Sequence, residues 1–347
     1  MERYHLALKK ELTLWGNPAD KANIRTIFFG GGTPSTYPSE LLLDTFGTIK
    51  DVVNMAQRAE VTIEVNPGTV RKEQLELWKS IGINRLSIGV QYAKDRVLQA
   101  LNRHHSKDDV MYVLELAPKF FENISVDLML GLPGVSERAW KEFVKEVVTW
   151  PISHVSLYCL MLHENTSLFF RVQRNNVVLP EDSVIRRLYL WTVDFLAKHG
   201  IYQYEVSNFA RKGCESLHNL AYWKRHAYKG FGLAACSFDG INRTQNESNL
   251  TMYLSKVESG ILPVNFSEKL TESDERLEKI MLGLRRITGI PCSLLKDGVS
   301  KSTWDMVFRK VLLFEEQGLL VRDGDNIRLT TTGFIVENEL ITELSRE

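Results

Sequence analysis

The stretch Ile24-Arg25-Thr26-Ile27-Phe28-Phe29-Gly30-Gly31-Gly32-Thr33 decides the fold. Its first six residues, β-branched and aromatic, read as a strand, and three consecutive glycines end that strand in a loop. Glycine lets a backbone approach a ligand closely and leaves its N–H and C=O groups unblocked. A tight strand-to-loop turn explains the same residues equally well. Downstream, residues 38–59 carry Leu41, Leu42, Phe46, Ile49, Val52 and Val53 at three- and four-residue steps and are predicted helical. A second strand, 60–65, stops at Asn66-Pro67-Gly68, and a helix over 71–81 is closed by Gly82. The alternation then continues with strands at 85–90, 124–130 and 154–160 and helices over 108–121, 137–150 and 182–199.

Five β-then-α steps define an α/β fold, a parallel sheet with helical crossovers. An open doubly wound sheet and a partial barrel both fit. In either, ligands collect at the C-terminal ends of the strands. Those ends carry Gly31, Gly32, Thr33, Glu64, Gln91 and Asp127. The segment before Ile24, 3–15, is itself predicted helical, and a β/α series that begins on a helix is expected to have lost, or never had, its first strand.

Composition narrows the function classes. The chain has 347 residues, 44 % apolar and 25 % charged, with 43 basic and 43 acidic side chains. That balance describes a globular protein and offers no basic excess for nucleic acid. No apolar run approaches the ~20 residues of a membrane helix. Cys159, Cys214, Cys236 and Cys292 are too dispersed for a CxxC or CxxxCxxC knuckle.

After about residue 200 the rhythm changes. Residues 202–208 are strand-like, 209–265 are loop-rich with scattered aromatics, and 302–317 read as a helix. A strand from Gly318 then turns at Asp323-Gly324-Asp325-Asn326 into a second strand, a winged-helix arrangement. The last helix, 332–347, is acidic, which argues against DNA binding.

Two constellations point to chemistry. Glu64 and Asp127 are carboxylates inside apolar strands, and a buried carboxylate is costly unless it serves a ligand or a network. Gln91 and Arg103 taken singly are ordinary loop residues; converging on one mouth, the four suggest a polar small-molecule site. The second constellation is His218-Asn219-Leu220-Ala221-Tyr222-Trp223, where an imidazole beside large aromatics suits iron in a flat apolar pocket. A hydrogen-bonded loop histidine packed on aromatics fits the same residues.

Eight motifs occur in order: GGGTPS (30–35), IEVNPG (63–68), RLSIGVQ (85–91), LNRHH (101–105), DLMLGLPG (127–134), YEVSNFA (204–210), HNLAYW (218–223) and GLR (283–285). Together they resemble the radical S-adenosylmethionine (SAM) family of anaerobic coproporphyrinogen III oxidase-like proteins. The HNxxYW segment resembles its HemW-type branch of haem chaperones. The resemblance implies an incomplete parallel (β/α) barrel over 1–208, a loop-rich haem-associated segment over 209–270 and a winged-helix-like α+β region over 271–347. It places SAM on Gly31, Gly32, Thr33, Glu64, Gln91, Arg103 and Asp127, and haem on His218, Asn219, Tyr222 and Trp223, with His218 as iron ligand.

The family's CxxxCxxC, which holds a [4Fe–4S] cluster, precedes the helix that matches 3–8. The sequence as written therefore lacks the cluster cysteines. A start placed too late is the favoured account, and no radical catalysis is expected of this chain. Where the family reads Gly-x-Gly-x-Gly-Ala-His-Ser, this chain has Gly230 to Ser237 with Cys236 at the histidine position. The implied function is binding haem or porphyrin for transfer to respiratory acceptor proteins. The alternatives are an oxygen-independent coproporphyrinogen III oxidase and a cluster-less paralogue. The implied setting is the cytoplasm, or the mitochondrion in an animal. Contact with the membrane would be peripheral and through the acceptors, dimerisation is left open, and no nucleic acid is involved.

Overall fold

The computed structural model describes residues 1–16 and 21–346. Its main sheet is curled and seven-stranded: β1 (Ala22–Phe29), β2 (Val53–Val65), β3 (Arg85–Gln91), β4 (Asn123–Leu130), β5 (His154–Cys159), β6 (Tyr202–Gln203) and β7 (Asn208–Ala210). The order is β1-β2-β3-β4-β5-β7-β6, with β1 to β5 parallel and β7 antiparallel to both neighbours. Helices Ser39–Val52, Lys72–Ile81, Lys107–Leu116, Glu137–Val147 and Asp182–Lys198 lie between or after the parallel strands. This is half of a barrel, open between β1 and β6.

The strands alternate between two environments. Val61, Ile63 and Val65, then Leu86, Ile88 and Val90, then Val126 and Leu128, then Val155 and Leu157 are all buried in the main apolar core, which the helices cover. The intervening residues, Thr62, Glu64, Arg85, Ser87, Ser125, Asp127, His154 and Ser156, point to the concave side. Register stacks them in layers, with Thr62 opposite Arg85, Glu64 opposite Ser87, Ser125 opposite His154 and Asp127 opposite Ser156. A one-residue slip would bury the polar set under the helices, so the register is strongly specified.

Three expectations are corrected. The helix expected over 38–59 ends at Val52, and residues 53–59 open β2, where Val53, Asn54 and Met55 pair with Ala22, Asn23 and Ile24. Parallel pairing with β1 overrides the helical spacing of the apolar residues there. Within the loop-rich stretch, Leu217–Trp223 is a helix whose Ser216 side chain caps it by accepting from the Asn219 N–H. The acidic C-terminal helix is two, Thr331–Ile335 and Glu337–Leu344, divided at Val336; Glu347 lies outside the described residues.

Beyond the main sheet come β8 (Cys236–Phe238), β9 (Asn242–Asn246) and β10 (Val264–Lys269), an antiparallel sheet. β11 (Ile290–Pro291), β12 (Leu320–Asp323) and β13 (Asn326–Leu329) form the wing. Its hairpin turns at Gly324, whose φ of +60° suits glycine. Ile280, Leu284, Val307 and Val311 from two helices pack on Leu320, Ile327 and Leu329 in a separate apolar core. The N-terminal helix Glu2–Trp15 is fastened from inside: buried Glu11 accepts from the Tyr253 hydroxyl (2.7 Å), the Gly232 N–H (2.8 Å) and the Asn246 amide (2.6 Å). No helix among the described residues is long and apolar enough to cross a membrane.

Candidate ligand-binding site

Two hollows adjoin, one along the free edge of β1 and one on the concave side. The larger, of about 1100 Å³, lies between the Glu2–Trp15 helix, β1, the Leu217–Trp223 helix and the segment leading to Cys236. Leu8, Trp15, Ile24, Phe28, Tyr222 and Phe231 give it an apolar, aromatic wall, with His226, Lys229 and Cys236 among its polar members. The smaller, of about 260 Å³, is a polar cleft bounded by Glu64, Arg85, Ser87, Asp127, Ser156 and Tyr158. Phe28, Glu64, His218 and Tyr222 border both.

The glycine loop forms the rim. A Cβ on Gly30 would meet the Phe28 ring at 2.6 Å and Glu64 Oε1 at 3.1 Å, so the strand end needs glycine for close approach. Gly31 takes φ +77° and donates its N–H to Glu64 Oε2 at 3.2 Å. Burial pushes the Glu64 carboxyl up, against the Gly31 hydrogen bond, and the charge of Asp127 adds to the rise. Burial likewise raises Asp127, opposed by Ser156, Arg85 and Ser87; the Ser87 hydroxyl donates to it at 3.3 Å. Burial pushes the Tyr158 phenol up to about 12.

The structure therefore brings Glu64 and Asp127 to one cleft, with Gly31 on the Glu64 carboxylate. Thr33 and Gly31 border the larger cavity, and Gly32, at φ +64°, follows in the same loop. Gln91, buried at the end of β3 with φ +63°, lies outside both linings, and Arg103 stands exposed in the loop after the Asp95–Ala100 helix. The Arg103 charge still acts on Asp127.

His218 sits between the two hollows. Its Nδ1 shares a hydrogen bond with the Thr26 hydroxyl (2.9 Å) and its Nε2 with the Tyr222 hydroxyl (3.1 Å). The ring stacks on Phe28 at 5.0 Å, and Tyr222 meets it edge-on at 4.8 Å. Burial and the Arg85 charge push the imidazole down to about 4, so it is neutral near pH 7. Asn219 faces the polar cleft, whereas Trp223 lines neither hollow.

Several residues at this site were missed by reading the sequence. Buried Glu60 accepts from the backbone N–H groups of Leu217 (2.9 Å) and His218 (3.0 Å), which pins the short helix to β2. His154 bridges the Ser125 hydroxyl (2.7 Å) and the Tyr204 hydroxyl (2.9 Å), and that phenol oxygen accepts the Ser216 N–H. Arg85, 2 % exposed, is the cation beneath the cleft. Its signal was the one used for Glu64, a charge in an apolar strand in phase with the inward face.

The residues expected to hold SAM suit that ligand in kind: a glycine loop with open space above Gly31 and Gly32 and two carboxylates near it. Among the described residues no group of three His, Cys, Asp or Glu side chains gathers as a metal site, and the four cysteines are free thiols in four separate segments.

The half-barrel with polar residues at its strand ends is the architecture of radical SAM proteins, and the model of the Radical SAM superfamily matches residues 13–147. The HemN C-terminal domain model matches residues 270–336. The chain belongs to the radical SAM family that includes the heme chaperone HemW. It is 32 % identical to Heme chaperone HemW of Bacillus subtilis, over 98 % of this chain and 90 % of that protein. It is 30 % identical to Heme chaperone HemW of Mycobacterium tuberculosis, over 99 % and 86 %. It is also 32 % identical to Radical S-adenosyl methionine domain-containing protein 1, mitochondrial, of Bos taurus, over 92 % and 75 %. The solved structure of coproporphyrinogen III oxidase (HemN) from Escherichia coli, a radical SAM enzyme, superposes with a TM-score of 0.83 at 20 % identity, over 99 % of this chain and 83 % of that one. That likeness establishes the shared fold.

Proposed function

We propose that this chain binds haem in the larger cavity and passes it to respiratory haem proteins, with SAM held on the adjoining glycine loop. The observation that carries the reading is the aromatic-walled cavity of about 1100 Å³ with His218 on its border. Its relatives named as heme chaperones support it. Burying a flat macrocycle there is favourable at roughly 25 cal/mol per Å² removed from water. His218 is neutral and so can ligate iron, provided the Tyr222 hydroxyl releases Nε2. Tyr222 then lies edge-on to the ring that would hold the metal.

For SAM, the backbone of Gly31, Gly32 and Thr33 would cradle the methionyl end. Glu64 and Asp127 would face its ammonium and sulfonium charges, whereas Gln91 and Arg103, also expected to contact SAM, lie outside both linings. In this family SAM supplies radical chemistry together with a [4Fe–4S] cluster. The described residues do not form a cluster site, and no radical step is assigned to them. The oxidase alternative has the shared fold behind it and no residue at this site that favours it over haem binding. The expected setting is the cytoplasm, or the mitochondrion for an animal chain, and the acceptors would bring the protein to the membrane surface.

The test is a haem titration of the purified chain followed by its Soret band. Saturable binding of one haem per chain is expected, with the band altered in His218→Ala while part of the affinity remains. Absence of saturable binding overturns the reading. An unchanged band in His218→Ala transfers the iron to Cys236 or His226.

A further inference from the structure

The floor of the polar cleft holds a cation without a partner. Arg85 is 2 % exposed, its Nε is fully buried with no hydrogen-bond partner, and no ion pair among the described residues includes it. The Thr62 hydroxyl, register-paired with it on β2, is likewise buried and unpartnered. A buried guanidinium is costly unless a charge or several acceptors complete it. Asp127 feels its charge, yet the two form no ion pair. The cleft above it offers further donors from Tyr158 and Asn219, while the Ser87 hydroxyl is already given to Asp127.

We propose that Arg85 seats a ligand carboxylate at the floor of this cleft, and that the carboxylate is a propionate of the tetrapyrrole lying in the adjoining cavity. The inference rests on the haem-binding reading. The planar fork of a guanidinium matches a carboxylate with two parallel N–H···O bonds. Size agrees: a hollow of about 260 Å³ admits a propionate arm and excludes the macrocycle, for which the larger hollow of about 1100 Å³ has room. Phe28, His218 and Tyr222 border both hollows, and the last two are residues expected around the ring. An α-carboxylate on the methionyl end of SAM has the same chemistry, so the experiment separates the two sources.

Haem and haem dimethyl ester, whose propionates are blocked, are titrated into the wild-type chain and into Arg85→Gln and Arg85→Lys. SAM and decarboxylated SAM are titrated in parallel, and unfolding of each ligand-free protein is followed by circular dichroism. The wild type is expected to prefer haem over the ester by on the order of tenfold to a hundredfold, the scale of a charge-assisted hydrogen bond. Arg85→Gln should lose that preference, Arg85→Lys should keep part of it, and ligand-free Arg85→Gln should unfold no earlier than the wild type.

A preference undiminished in Arg85→Gln overturns the proposal. So does a failure of Arg85→Gln to fold, since Arg85 would then be serving the fold. If Arg85→Gln instead abolishes the discrimination between SAM and decarboxylated SAM, the carboxylate is the methionyl one and the porphyrin assignment falls. A wild type that binds neither haem nor its ester marks the failure of the haem-binding reading, separately from the seat itself.

Discussion

The backbone N–H of His218 donates to the carboxylate of Glu60 at 3.0 Å, across 158 residues of sequence. Glu60 also accepts from Leu217 and from the Ser216 hydroxyl, so one buried side chain of β2 sets where the Leu217–Trp223 helix begins. Through that helix it sets where His218 meets Phe28 and Thr26.

Replacing Glu60 should therefore disturb stability and ligand binding together. Glu60→Ala strands buried donors at about 1–3 kcal/mol each, and a total loss of about 3 kcal/mol is expected in urea denaturation. Glu60→Gln, which keeps an acceptor, should fall between. An Ala variant as stable as the wild type, with unchanged haem affinity, would remove Glu60 from this role.

Glu205 shapes the pH dependence of stability. Burial pushes its carboxyl from 4.5 up to about 7, opposed by the Ser207 N–H that donates to it at 3.1 Å. The folded chain thus binds this proton more tightly than the unfolded one. The group's contribution is fully present below pH 4.5 and is lost as pH rises through about 7. At 1.36 kcal/mol per unit the change is about 3 kcal/mol. Glu205→Gln should flatten this part of the stability curve between those values; an identical curve refutes the assignment.

His218 acts in the opposite sense. With its folded value pushed down to about 4 from 6.5, the unfolded chain takes the proton first, so stability falls as pH drops through that window. His218→Gln should show a gentler acid slope than the wild type. Haem affinity should also stay level from pH 8 to pH 5, because the folded imidazole remains neutral there. A loss of affinity centred near pH 6.5 would mean that His218 is solvated and not the group described.

The rim loop should be sensitive to backbone strain alone. A Cβ at Gly31 meets nothing within 4 Å, but its φ of +77° is left-handed. Gly31→Ala then costs about 1–2 kcal/mol where the loop keeps its shape, or displaces the N–H from Glu64 where it does not. Equilibrium dialysis should show SAM affinity weakened by about tenfold or more on that scale. Equal affinity in the variant would separate this loop from SAM.

The local sequence determined the βα rhythm, the glycine loop, the wing and the inward carboxylates Glu64 and Asp127. Each rests on periodicity or on a residue type out of place within a few neighbours. It misjudged residues 53–59, because their strand conformation comes from pairing with Ala22, Asn23 and Ile24, some thirty residues away. Glu60, Arg85 and His154 stayed unremarked for a related reason. A strand declares which residues share a face, but only the curl and register of the sheet decide which residues from separate strands share a layer. Tertiary structure alone placed His218 on Phe28, Gln91 and Arg103 outside the cleft lining, and a buried guanidinium beneath two carboxylates. These are contacts between segments that no spacing along the chain encodes.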